Sequence, residues 1–401
     1  MPPLATLPLS AHLQDQYRLV RGLHAIVYAS ADPTADAELY ERVLQEEAAL
    51  RDLELQHAAG NSVPPVKPPD LSGARFLGPD TTGLRVTPTL NMQPLPTGIY
   101  HLLDPKTDPL LTVAIDNESP ETKRVCVKVF LEGLSAQAVR TVEIPAGKSL
   151  PEPLRLLPTL FPERAQAITE IQRATLHLMV DDLDGKPECY DTFPIVCLAR
   201  TSSFHSVREP GTGRVVDLSH YYAAWVTPHV EAVQYRIRRA AEHLPSRQIW
   251  GYQGSPDAVP LQVEALYKSL READIVYVNS VIDYGAPPGT YTQRTRLPRE
   301  SLAQRSANCI DGTVLMASLL EGASLHPAIV LVPGHAFLGW ETWRRSGQWR
   351  YLETTMIGSA DFAAACASAE RQVELHQQKN PDKIKRLTLN DLRARGIWPM
   401  E

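Results

Sequence analysis

The sequence has few of the features that mark nucleic-acid-binding or membrane proteins. Its formal net charge is only −6 over 401 residues, and no Lys/Arg run stands out, so we expect no nucleic-acid partner. No run of about 18 uncharged apolar residues occurs, so we expect no transmembrane helix and no membrane partner. The first residues also lack a charged segment followed by an apolar core, which argues against a secretory signal. Because the cysteines also show no disulfide pattern, a reducing cytoplasm is the expected compartment.

The five cysteines are odd in number and scattered, and they form no CxxC pair; they are Cys126, Cys189, Cys197, Cys309 and Cys366. This pattern argues against a zinc ribbon and against a disulfide framework. The histidines and cysteines lack the short paired spacings of zinc sites, and no phosphate-binding glycine motif is present. We therefore expect no metal ion and no other cofactor.

The length and composition predict a multidomain α+β protein. A chain of 401 residues with 43% hydrophobic and 21% charged residues can bury two or three cores. Residues 1–75 are predicted to form a mixed or helical N-terminal segment with a linker. Within it, 36–53 has the spacing of an amphipathic helix, and the proline-rich stretch 61–69 is typical of a linker.

From about 80 to 205 the apolar residues alternate with a period of two. This alternation predicts half-buried strands around four segments, at 110–116, 124–130, 138–144 and 174–180. Short strands separated by turn-forming clusters are typical of a β-sandwich, and we expect one of immunoglobulin-like architecture. The sequence carries no Cys–Trp–Cys signature, so only the architecture is predicted.

The remaining range, 215–401, predicts a third, mixed domain. Helices are expected over 221–241 and 259–273, and another begins near Cys309. Asn308 is a good N-cap residue, so Cys309 should lie in the first turn of that helix. Unpaired N–H groups and the positive end of the helix dipole would favour a thiolate there and would stabilise a developing oxyanion.

A histidine and an acid follow the cysteine at positions suited to catalysis. Residues 328–332 predict a buried strand, a Pro-Gly break follows, and His335 opens the next apolar run. A further strand leads to Glu353, so adjacent antiparallel strands should bring His335 and Glu353 together. This order supplies the three groups of a cysteine nucleophile site: a thiol that attacks, an imidazole that takes its proton, and a carboxylate that orients the imidazole.

Four segments together resemble the bacterial transglutaminase-like superfamily, which has a papain-like core; these segments are Gln293–Pro298, Asn308–Asp311, Gly334–Trp340 and Leu352–Thr355. The resemblance covers about residues 215–400. It implies that Cys309 is the nucleophile, His335 the base and Glu353 the orienting acid. It also suggests Gln293 for the oxyanion or for positioning the substrate, with Gln304 as a rival.

The chain departs from the usual pattern of that superfamily at two positions. Glu353 stands where Asp is commoner and reaches one methylene further. Asn308 stands where Gly or Thr is often found before the nucleophile, which would narrow access to the thiol. Asn308 is a further candidate for the oxyanion or for positioning the substrate.

The expected function is cysteine-dependent acyl transfer on peptide or protein amides. We expect a cysteine protease or amidohydrolase, because the sequence shows no device for holding a second amine and excluding water, as a cross-linking transglutaminase needs. Two alternatives remain open: such a cross-linking enzyme, and a non-catalytic interaction module on the same fold. The β-sandwich could recognise the protein or peptide substrate.

Overall fold

The computed structural model describes residues 83–183, 187–208, 215–279 and 290–401, together with Arg42 and Gln45. The protein is a mixed α+β chain with several antiparallel sheets, as the sequence predicts at this level. The described residues form two compact units: an N-terminal unit of 83–219 with 290–294, and a C-terminal unit of 220–279 with 295–401. The helix predicted over 36–53, apart from its two described residues, and the linker at 61–69 lie outside this part of the chain.

Strands and helices alternate irregularly along the described chain. The strands are β1 (Leu84–Leu90), β2 (Leu111–Asn117), β3 (Lys123–Leu131), β4 (Ala138–Ile144), β5 (Leu154–Leu156), β6 (Gln172–Asp182), β7 (Pro187–Cys197), β8 (Ser202–Arg208), β9 (Val215–Asp217), β10 (Val276–Tyr277), β11 (Thr290–Arg294), β12 (Ser306–Ala307), β13 (Pro327–Val332), β14 (His335–Glu341), β15 (Trp349–Leu352) and β16 (Lys385–Thr388). The α-helices are α1 (Pro162–Gln166), α2 (Glu231–Ala241), α3 (Ala258–Arg271), α4 (Pro298–Gln304), α5 (Cys309–Gly322), α6 (Phe362–Lys379) and α7 (Leu389–Ala394). The 3-10 turns are Tyr100–Leu102, Ser219–Trp225, Gly251–Gln253, Thr354–Met356 and Pro381–Lys383.

The N-terminal unit is built on two antiparallel sheets that share one core. One sheet has the order β1-β2-β5 and the other β4-β3-β6-β7. Alternate residues point inward, because side chains of a strand alternate between its two faces. Leu111 and Val113 of one sheet meet Val127 and Leu178 of the other in a single apolar cluster. The four strands predicted in this region are present as β2, β3, β4 and β6.

A third sheet of the N-terminal unit takes a strand from later in the chain. Its order is β11-β8-β9, with β11 antiparallel to β8 and Gln293 opposite Ser203. Residues 290–294 therefore belong to the N-terminal unit, although they lie inside the range 215–401 in sequence.

The C-terminal unit is centred on a four-stranded antiparallel sheet of order β15-β14-β13-β16. Every residue of β13 and β14 is buried, so both faces of these strands are covered. Helix α5 contacts both strands, and α6 contacts β15. Ala369 and Val373 of α6 pack against Val330 and Phe337 of the sheet. The sheet is thus in contact with α5 through β13 and β14, and with α6 through β15.

Two of the predicted helices are present with different extents. The helix expected over 221–241 is divided into a 3-10 turn, Ser219–Trp225, and α2, because Pro228 cannot continue a helix. The helix expected over 259–273 is present as α3.

Among the described residues, no helix combines the length and the apolar character needed to cross a membrane.

Candidate active site

Cys309 is the first residue of α5, and Asn308 is its N-cap. The Oδ1 atom of Asn308 accepts a hydrogen bond from the backbone N–H of Asp311 at 2.8 Å. In return, Oδ2 of Asp311 accepts from the backbone N–H of Asn308 at 3.2 Å. This reciprocal capping box fixes where the helix begins, and therefore fixes the backbone of Cys309.

Asp311 also joins the helix start to the preceding segment. Its carboxylate accepts from the backbone N–H of Arg296 at 2.7 Å and from Nη1 of Arg296 at 3.1 Å. The side chain of Asp311 is fully buried. Burial raises the pKa of Asp311 to about 6, although the N–H groups of Arg296 and Asn308 favour the charged form.

The sulfur of Cys309 lies beside the start of β14. The backbone N–H groups of Ala336 and Ile310 both donate to it, and Ala336 is the residue directly after His335. The residue as a whole is half-buried. All five cysteines are free thiols, and of these only Cys126 is also half-buried.

The sequence predicts that the helix start lowers the pKa of Cys309, but the pKa is raised in the folded protein. Burial raises the pKa of Cys309 to about 12, and the charges of Glu353 and Asp311 add to the increase. The two N–H donors lower the pKa by less than burial raises it. The sulfur is therefore a neutral thiol at rest, and any attack by it requires a base that removes the proton.

His335 and Glu353 form a buried pair, and His335 directly precedes Ala336, whose N–H donates to this sulfur. Glu353 Oε2 lies 2.8 Å from His335 Nε2, and their side chains are 0% and 1% exposed respectively. Strand β15 pairs antiparallel with β14, and Glu353 follows the last residue of β15 directly. The longer side chain of Glu therefore reaches the ring. Since a carboxylate only accepts, Nε2 must carry the ring proton, which leaves Nδ1 as the basic nitrogen.

The carboxylate of Glu353 is held on both of its oxygens. Oε1 accepts from the backbone N–H of Thr355 at 3.0 Å and from the Thr355 hydroxyl at 2.7 Å. Burial acts to raise the pKa of Glu353, but His335 and the Thr355 donors outweigh it, so the pKa is lowered overall. Glu353 is thus a carboxylate at neutral pH despite complete burial.

Close packing joins the start of α5 to the segment after Glu353. The backbone oxygen of Cys309 accepts from the Thr313 hydroxyl at 2.7 Å and from the Thr354 hydroxyl at 3.4 Å. A Cβ atom on Gly312 would lie 3.1 Å from Oγ1 of Thr354. Glycine therefore allows this close approach, which sets the spacing between the thiol and the acid.

Gln372 of α6 is a site residue that the sequence analysis missed. It is fully buried, and its Nε2 donates to Glu353 Oε2 at 2.8 Å. The available signal was a polar residue within the buried stripe formed by Ala365, Ala369 and Val373.

The other three candidates from the sequence lie on different elements of the structure. Asn308 caps α5 through its side-chain oxygen, and it is buried. Gln293 lies on β11 of the N-terminal unit, and its Nε2 has no hydrogen-bond partner among the described residues. Gln304 is exposed at the end of α4. A positioning role for Gln293 or Asn308 stays a prediction.

Within the described ranges, no group of three or more His, Cys, Asp or Glu side chains is arranged to hold a metal ion.

Comparisons with known proteins add little to this geometry. No protein-family model matches the chain, and no curated protein matches it. A crystal structure of a FixG-related protein from Vibrio parahaemolyticus is similar over 30% of this chain and 98% of its own, at 12% identity and a TM-score of 0.20. At that TM-score the likeness supports no inference about fold or function.

Proposed function

We propose that the protein is a cysteine-dependent acyl-transfer enzyme that hydrolyses peptide or protein amides. The observation that carries the proposal is the buried 2.8 Å pair of His335 and Glu353, together with the hydrogen bond that Ala336, the residue after His335, donates to the sulfur of Cys309. We further propose that the C-terminal unit is a papain-like domain of transglutaminase type and that the N-terminal unit is an immunoglobulin-like sandwich. The resemblance of four sequence segments supports the first of these assignments.

The proposed reaction begins with a neutral thiol. Nδ1 of His335 takes the proton from Cys309 as the sulfur attacks the amide carbonyl, and a C–S bond forms. The C–N bond then breaks, and the imidazolium gives its proton to the departing amine. Water adds to the thioester with His335 as base, which releases the acid and restores the thiol. Glu353 stabilises the imidazolium throughout.

The two N–H groups at the sulfur support a second role for the backbone. Ile310 lies in the first turn of α5, where N–H groups have no partner within the helix. An oxyanion that forms next to the sulfur would find donors and the positive end of the helix dipole there.

One observation favours a second candidate, a non-catalytic interaction module. Burial raises the pKa of the Cys309 thiol to about 12, so the thiol is almost entirely protonated at pH 8. Unless His335 takes the proton, Cys309 would be an inert packing residue, and the protein would act by binding alone.

The test is to incubate the purified chain with a mixture of peptides and to detect three products by mass spectrometry. New amino termini indicate peptide hydrolysis, released ammonia indicates side-chain amide hydrolysis, and conjugation of an added amine indicates cross-linking. Cys309→Ala should abolish every product, whereas Cys126→Ala, a change at the other half-buried cysteine, should abolish none. Full activity of Cys309→Ala would end the proposal, and so would the absence of all three products.

A further inference from the structure

Gln372 is a neutral amide in the middle of an apolar interface. It lies on the face of α6 that also carries Ala369 and Val373, which pack against the sheet. Its side chain is 0% exposed. Its Nε2 donates to Glu353 Oε2 at 2.8 Å, while its Oε1 has no hydrogen-bond partner among the described residues.

Burial of this side chain is unfavourable unless hydrogen bonds of the amide compensate for the loss of water. An unpaired carbonyl oxygen costs free energy in an apolar core, and a leucine or methionine of similar volume would avoid that cost. The orientation of the amide also follows from electrostatics. With the amide turned over, Oε1 would face the carboxylate of Glu353, and two acceptors would repel each other.

Among the described residues, the one hydrogen bond of the Gln372 side chain is to the Glu353 oxygen that also contacts the imidazole. Oε2 of Glu353 receives Nε2 of His335 and Nε2 of Gln372, both at 2.8 Å. Oε1 is occupied by the two donors of Thr355. Removing Gln372 would leave Oε2 with one donor and free the carboxylate to rotate about the Thr355 contacts.

We propose that Gln372 is a positioning residue, which aligns the carboxylate of Glu353 so that His335 keeps its proton on Nε2 and presents Nδ1 to the sulfur of Cys309. The proposal rests on the proposed function, since it assigns a role within the same catalytic group. Helix α6 also holds the backbone of Glu353, because Ala365 O accepts from its N–H at 3.1 Å. One helix thus sets both the backbone and the side chain of the acid.

The experiment compares Gln372→Ala, Gln372→Glu and the control Gln378→Glu, which makes the same change at an exposed position of the same helix. The first readout is the rate at which iodoacetamide modifies Cys309. This rate is measured by peptide mass spectrometry at a series of pH values from 5 to 9. The second is the tautomer of His335, observed by ¹⁵N NMR, which requires no enzymatic activity. Circular dichroism checks that each variant is folded.

Gln372→Glu gives the sharper prediction. Two carboxyl groups in contact cannot both ionise readily, so the introduced group shares a proton with Glu353 in acid and donates as the amide does. We expect modification of Cys309 within threefold of the wild type at pH 5. As the pH rises and that proton is lost, repulsion displaces Glu353, and the rate should fall about tenfold or more below the wild type by pH 9.

Gln372→Ala should be slower than the wild type by about tenfold at every pH, and it should populate the Nδ1–H tautomer of His335. Gln378→Glu should match the wild type in both readouts. A ratio of Gln372→Glu to wild type that stays flat with pH, together with an unchanged tautomer in Gln372→Ala, would overturn the proposal. If Cys309 modifies no faster than Cys126 in the wild type, the proposed function fails, and the tautomer alone then decides the role of Gln372.

Discussion

Replacing Gly312 by alanine tests whether the spacing between α5 and the acid segment controls the thiol. A methyl group at this position would lie 3.1 Å from Oγ1 and 3.2 Å from Cβ of Thr354. Thr354 is buried, and its hydroxyl is 3.2 Å from that of Thr313, so it cannot turn aside freely. The start of α5 must therefore shift by a few tenths of an ångström.

The expected magnitudes follow from these contacts. Alanine in place of glycine stabilises a helix by about 0.5–1 kcal/mol, while overpacking a core costs about 1–3 kcal/mol. We expect a net loss of about 1 kcal/mol in the free energy of unfolding. Reactivity should suffer as well. If a displacement of about 1 Å costs about a hundredfold in rate, a shift of about 0.3 Å costs about fourfold.

Gly322→Ala is the matched control, because Gly322 ends the same helix, about 20 Å from Cys309. A methyl group there would lie 2.8 Å from Cδ1 of Ile237 and 3.0 Å from the backbone oxygen of Pro228. It should lower stability at least as much and leave the thiol unaffected. Urea unfolding measures the stability of each variant, and the alkylation rate of Cys309 measures the reactivity of the thiol. Equal reactivity in both variants would refute the reasoning about spacing.

Three further perturbations have defined outcomes. Asp311→Asn tests the raised pKa of Asp311. Because the folded state binds the proton more tightly than the unfolded state, the free energy of unfolding of the wild type should fall by about 2–3 kcal/mol relative to the variant between pH 4 and pH 7. A difference in urea unfolding that stays constant with pH would contradict this. Arg393→Lys should lower the free energy of unfolding by about 2–4 kcal/mol, because the guanidinium makes two 2.9 Å contacts with Glu321 and donates to three backbone carbonyls. Arg395→Lys, at an exposed position, should leave urea unfolding unchanged. Glu353→Gln should slow alkylation of Cys309 by about a hundredfold or more, since an amide can hold the wrong tautomer of His335, and an unchanged rate would exclude an orienting role for Glu353.

Local patterns predicted the elements around the candidate site well. The Asn308 cap predicted where α5 begins, and the Pro-Gly break predicted where β14 begins. These features depend on neighbouring residues in the chain, so the sequence contains them directly. Pro228 is the local signal for the interruption of the helix expected over 221–241, because proline lacks the N–H that a helix interior needs.

Features that depend on distant contacts could not be predicted in this way. The pairing of β11 with β8 joins residues about 90 positions apart, and no local periodicity encodes it. The pKa of Cys309 rises because burial of the sulfur in the folded chain outweighs the opposing effect of the N–H donors of Ala336 and Ile310. Gln372 gains its role only when α6 packs over Glu353.

The pH dependence of alkylation at Cys309 tests the central claim most directly, because the claim is that His335 removes a proton that burial otherwise retains. The measurement compares the wild type with His335→Gln from pH 5 to pH 10, and Cys126 in the same samples serves as the internal reference. We predict that between pH 6 and pH 8 Cys309 of the wild type reacts about a hundredfold faster than Cys309 of the variant. Equal rates in both proteins, rising steadily towards pH 10, would contradict the account.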